Sequence, residues 1–148
     1  MALIRIERAS RLSPRDAWQR LTDWERHAAH VPLTGIDVTT PPPTGVGTVF
    51  VARTGIGRLR FDDPMEVVRW EPPRDGRPGH CRMEKRGRVV TGWAEIEVAP
   101  RGPGSWIVWR EEARVERLPR LFDPVTALSG RLLFGRVVTG LLADAPAE

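Results

Sequence analysis

Glu111 is a carboxylate set among apolar neighbours. In the stretch SWIVWREEARV, Ser105 to Val115, a period-two reading puts Ile107, Trp109, Glu111, Ala113 and Val115 on one side. Trp106, Val108, Arg110, Glu112 and Arg114 fall on the other. Such alternation marks a half-buried β-strand. A carboxylate on its apolar side has two readings. In an apolar pocket, desolvation raises a carboxyl pKa and equips the group as an acid, a base or a ligand anchor. Near the sheet margin it is simply hydrated, or paired with an arginine. Arg69 continues Met65 and Val67 and is the candidate partner, provided Pro64 does not reset the alternation. Phe61, Met83 and Trp109, with Leu128 and Leu132 from the C-terminal segment, are candidate pocket walls. Ordinary core packing draws on the same residue types.

Other reactive residues form weaker constellations. His80 and Cys81 are adjacent, so on a strand they point to opposite faces and cannot form a thiol dyad. Cys81 shares its face with Met83 and reads as a small buried hydrophobe. His27 and His30 lie three apart near Glu25, but a zinc site needs a third convergent ligand, and both read as surface histidines. The Gly45-Val46-Gly47 and Gly55-Ile56-Gly57 stretches do not extend to GxGxxG or to a P-loop and open no long helix. No metal and no cofactor are expected.

The elements that position these residues emerge from periodicity and punctuation. Residues 2–8 alternate around Ile4 and Ile6 as a first strand. Ser13 suits an N-cap and Pro14 the first helical position, with Ala17, Trp18 and Leu21 as an apolar stripe. A second short helix spans about Trp24 to His30 and ends before Val31-Pro32. Strands then alternate with Gly/Pro turns: 35–40, 47–54, a run from Leu59 that meets Asp62-Asp63-Pro64 and resumes at 65–70, then 80–86, 89–98 and 105–115. If the APRGPG turn pairs Val98 with Ser105, Glu111 faces Gly92 and Trp109 faces Ala94. A two-residue slip changes these partners but keeps the faces. A final helix is expected over 124–143, with Val125, Leu128, Leu132, Val138 and Leu142 at helical spacing and Gly130, Gly135 and Gly140 inside it.

Composition narrows the classes. The 148 residues suit one domain, 1–148, large enough to need no disulfide. One cysteine permits no intrachain bridge, and the reading is cytoplasmic. No window reaches the ~20 apolar residues of a membrane span, and the charged start lacks a signal-peptide core. The formal charge of +4 comes from 23 basic residues scattered among 19 acids, and Lys85 is the only lysine. Without a basic cluster, nucleic-acid binding is not expected.

The order strand, two helices, six strands and a long helix resembles the START-like, or SRPBCC, superfamily, within it the polyketide cyclase/dehydrase group. The local features are SPRDAWQRLTDWERHAAHVP, GVGTVF, MEVVRWEPPR and GWAEIEVAPRGPGSWIVWREE. The resemblance implies an α+β helix-grip fold, with a curved antiparallel sheet of about seven strands around the last helix and a ligand cavity between them. It also implies a small hydrophobic partner: a polyketide, lipid or aromatic metabolite. Two alternatives stay open. One is an aromatase/cyclase or dehydratase using Glu111 as acid or base; the other is an adaptor that binds a protein through Trp93 and Trp106. Fold alone does not choose among them, and the oligomeric state is not encoded in any of these features.

Overall fold

The computed structural model describes residues 2–31, 33–56, 58–116 and 123–143; the side chains of Ala2, Ile56, Leu59 and 123–130 lie outside that description. The chain order is β1 (Ala2–Ser10), α1 (Pro14–Leu21), α2 (Trp24–His27) with a 3₁₀ turn (Ala28–His30), then β2 (Thr34–Val38) and β3 (Val49–Ile56). It continues through β4 (Leu59–Glu71), β5 (Gly79–Arg86), β6 (Val90–Arg101), β7 (Gly104–Val115) and α3 (Asp123–Ala143). The seven strands form one antiparallel sheet in the order β1-β7-β6-β5-β4-β3-β2. The helices cover one face of this curved sheet, which is the expected helix-grip arrangement.

Local chemistry explains the helices. The Ser13 hydroxyl accepts the Asp16 amide at 3.2 Å and caps α1, satisfying one of the orphan donors of a helix start. Ala17, Trp18 and Leu21 on α1 and Trp24 on α2 are buried. Trp18 meets Trp70 of β4 edge to face, with centroids 5.0 Å apart. Arg20 of α1 reaches the Leu141 and Leu142 carbonyls at 3.5 and 3.4 Å. A cation there complements the negative end of a helix.

α3 meets the core with part of the set its sequence spacing suggests, Val138 buried and Leu142 packed against it, but not with Leu132. Phe134, Val137, Val138 and Leu141 meet the sheet and α1, an i, i+3, i+4, i+7 stripe. Leu132 lies two positions before Phe134, about 200° round the helix at roughly 100° per residue, and is 62 % exposed. It does not wall the interior, which corrects that expectation. The Leu128 side chain lies outside the described residues.

Two strand details depart from the sequence reading. β4 runs unbroken through Asp62-Asp63-Pro64. The ladder to β5 begins only at Met65, so Pro64 breaks no rung there. The irregularity falls at Val68, where the register shifts between Val67 and Arg69. This extra residue re-aims the side chains beyond it. Val67 is fully buried, whereas Arg69 is exposed and pairs with Glu71 at 2.7 Å. The expectation that Arg69 faces Glu111 is thereby overturned. In the second departure, the β6–β7 turn is only Gly102 and Pro103, because Arg101 pairs with Gly104. Gly102 has φ 56°, which with Pro103 fits the signs of a type II′ hairpin turn. The register therefore lies two residues from the expected one: Ala94 opposes Glu111 and Ile96 opposes Trp109. The inward-facing set is unchanged.

Candidate functional site

Five inner-face side chains from three strands converge on one charged network. Lys85 of β5 lies with its ammonium 2.8 Å from Asp63 Oδ2 of β4 and 3.1 Å from Glu111 Oε1 of β7. The Trp109 indole N–H donates to Glu111 Oε2 at 3.3 Å, and Met65 Sδ lies 3.7 Å from the ammonium. Lys85 must cross β6 to reach Glu111. The residue opposite it on β6 is Gly92, and the one opposite Glu111 is Ala94. These small residues leave the span open. Gly92 has a second reason to be glycine: φ is 127°, and a Cβ would collide with the Glu112 carbonyl, a backbone position other residues rarely tolerate.

The Lys85 and Glu111 side chains are each 3 % exposed, and that of Asp63 is 14 %. Burial alone would lower the Lys85 pKa, but the charges of Glu111 and Asp63 and their hydrogen bonds outweigh it and hold it above the ordinary lysine value. Lys85 is thus an ammonium at neutral pH, and its stabilising contribution disappears only as pH rises past that raised value. An amine held so firmly protonated is no Schiff-base nucleophile. The two carboxylates and one ammonium leave a buried formal charge of −1. Asp63 Oδ1 is shut from solvent and accepts no hydrogen bond from the described residues.

Cross-strand rows locate the network. Glu111 shares its row with Val67, Met83, Ala94 and Ile4, all buried apolar residues. Met83, expected as a pocket wall, thus lies in the row of Glu111, two strands away across Ala94. Phe61, two residues before Asp63 on the same side of β4, is 37 % exposed and stands at the rim. Of the expected site residues, the structure brings together Glu111, Trp109 and Met83, with Phe61 at the edge, and leaves out Arg69 and Leu132.

Rings fill the inner face beside the network. Phe50 stacks on Trp24 at 4.5 Å, Trp24 meets His27 at 5.8 Å, His27 meets Trp109 at 5.8 Å, and Trp109 stacks on Phe134 at 5.7 Å. His27 is therefore buried, which corrects its reading as a surface residue. Its Nε2–H donates to the Leu21 carbonyl at 2.7 Å. Burial lowers its pKa despite the Leu21 bond and the nearby Asp23 charge. Cys81 is also buried, and desolvation pushes its thiol up to about 12, too high for a nucleophile at neutral pH.

Sequence reasoning missed Lys85, Asp63 and His27. Lys85 carried a signal: the one lysine in an arginine-rich chain, in phase with Cys81 and Met83. The outer face is made differently, from arginine–carboxylate pairs such as Arg82–Glu95 at 2.6 Å and Arg86–Glu66 at 3.0 Å. Trp93 and Trp106 are half-buried there, with the Arg82 and Arg101 guanidiniums 4.6 and 4.7 Å from their ring centroids. Clefts lined by described residues include one of about 420 Å³ between α2 and the β2–β3 connection. Another, of about 530 Å³, lies between α1 and the segment 72–74. No helix among the described residues is long and apolar enough to cross a membrane.

No family profile matches the sequence, and no curated protein matches it either. Solved structures do. TTHA0849 from Thermus thermophilus is similar with a TM-score of 0.75 at 14% identity, over 94% of this chain and 93% of that one. A STAR-related lipid transfer protein fragment from Xanthomonas axonopodis gives 0.67 at 14%, over 93% and 84%. The Zhui aromatase/cyclase from Streptomyces sp. R1128 gives 0.62 at 12%, over 93% and 91%. Likeness over almost the whole chain, at identities this low, speaks to architecture: the chain has the START-like, SRPBCC fold.

Proposed function

We propose that the protein binds a small hydrophobic molecule, a polyketide, lipid or aromatic metabolite, between the sheet and α3, with the ligand's polar end toward Asp63, Lys85 and Glu111. The observation that carries this reading is the buried charged network on an otherwise apolar inner face. Burying an ion network rarely stabilises a fold better than apolar residues of the same volume would. Its presence in a cleft-forming fold points to a task. The lipid transfer and aromatase/cyclase proteins that share the fold support the same class of ligand. Affinity would come mostly from apolar burial, at about 25 cal/mol per Å², and orientation from the network.

The test is native mass spectrometry of freshly purified protein with denaturing extraction of whatever is bound, followed by titration with a panel of apolar ligands. A stoichiometric adduct, or saturable uptake of panel members, is the expected result. A folded protein that comes clean and takes up none of the panel contradicts the reading.

A cyclase or dehydratase is the second reading, favoured by the two carboxylates and one ammonium in a single network. Under it, Glu111→Gln lowers turnover about 10²- to 10⁴-fold while ligand binding persists. Wild-type turnover in that variant removes Glu111 from catalysis.

A further inference from the structure

The charged network is internally incomplete, and its defect has a location. Lys85 has two carboxylate partners and Glu111 has two donors, the Lys85 ammonium and the Trp109 indole. Among the described residues, Asp63 has one donor on Oδ2 and nothing on Oδ1, although Oδ1 is buried. A buried carboxylate oxygen left without a partner costs more than an ordinary missing hydrogen bond. The same atom belongs to the network member nearest solvent, since the Asp63 side chain is 14 % exposed against 3 % for Lys85 and Glu111. Beside it, Ala52 opposes Asp63 on β3, and Phe61, at the rim, is two residues away on the same face.

Resting on the hydrophobic-ligand reading above, we infer that the ligand carries a cationic amine head that docks on Asp63 Oδ1, its apolar body lying against Phe61 and the inner face. A protonated amine supplies the missing donor. It also supplies the one positive charge needed to balance two carboxylates against one ammonium. A neutral hydroxyl would provide only the donor, and a carboxylate head would add repulsion where a negative charge is already unbalanced. The overall charge of the chain is +4, so general electrostatics work against amine binding, and a preference for amines must come from a local site.

The experiment compares decylamine, decanol and decanoate at pH 7 by calorimetric titration of the full chain and of Asp63→Asn, with circular dichroism as the check on folding. The wild-type protein is expected to bind the amine about tenfold or more tighter than the alcohol, and the carboxylate most weakly. In Asp63→Asn the amine preference is expected to fall to within about twofold, with decanol affinity little changed. Decanoate binding as well as decylamine, or an amine preference that survives Asp63→Asn, overturns this inference and leaves the hydrophobic-ligand reading standing. Failure of all three compounds to bind the folded wild type overturns both. The wild-type rank order decides the matter even if the variant does not fold.

Discussion

On the inner face, Phe50, Trp24, His27, Trp109 and Phe134 form a chain of ring contacts; beside them, Asp63, Lys85 and Glu111 share charge across three strands. Trp109 belongs to both, its ring in the column and its N–H on Glu111. The aromatic group is what a core requires: large apolar area, and pairs that contribute about 0.5–1.5 kcal/mol each beyond burial. The charged group is what a core avoids, since desolvation offsets most of the Coulombic gain. One sheet face thus carries two groups of opposite character side by side. Substitutions in the two groups should fail in different ways.

Trp109→Ala is expected to do the most damage, toward the upper end of about 3–5 kcal/mol, because it empties the column and strips Glu111 of a donor. Denaturant unfolding at neutral pH measures it. Lys85→Met should cost about 3–5 kcal/mol by leaving two carboxylates buried without their cation. The contrast with Trp109 is that this loss is reversible by further mutation: adding Asp63→Leu and Glu111→Leu should recover most of the stability, because whole apolar replacement of an ion network is tolerated. A triple variant as unstable as Lys85→Met would show the charged network to be structural.

A smaller effect comes from His27. Its folded-state pKa is lowered below the ordinary 6.5 by burial, so the unfolded chain binds the extra proton first. Its stabilising contribution is complete above that ordinary value and is lost as pH falls through the lowered one. His27→Gln, which keeps a donor for the Leu21 carbonyl, should flatten this acid limb of stability against pH. An unchanged limb would assign it to other groups. Smallest of all, Arg69→Ala and Leu132→Trp lie on exposed positions and should each shift stability by no more than about 0.5 kcal/mol, without affecting ligand uptake.

The inner face of β6 and β7 was legible because both strands alternate cleanly, and a register error of two residues cannot change a face. Glu111 and Trp109 were placed correctly for that reason. Arg69 was not, because a one-residue bulge at Val68 reverses direction and leaves no mark in the pattern. Asp63 was hidden by its neighbours, since Asp62-Asp63-Pro64 reads as a break where the strand in fact continues. α3 is apolar nearly all round at Leu132, Leu133, Phe134, Val137, Val138, Leu141 and Leu142, so its spacing could not say which side meets the sheet. The ion network could have been suspected from Lys85, the one lysine, standing at an inward position. Its partners come from strands far apart in the chain, which no local pattern encodes.

That single lysine also supplies the most direct measurement. In protein labelled with ¹⁵N at lysine Nζ, one side-chain ammonium signal reports on the charged network of the inner face. On saturation with decanol, that signal is expected to shift in step with the binding isotherm, because the ligand's polar end comes to rest beside Lys85. Saturable decanol binding that leaves the Lys85 resonance unmoved would place the ligand elsewhere and contradict the central claim.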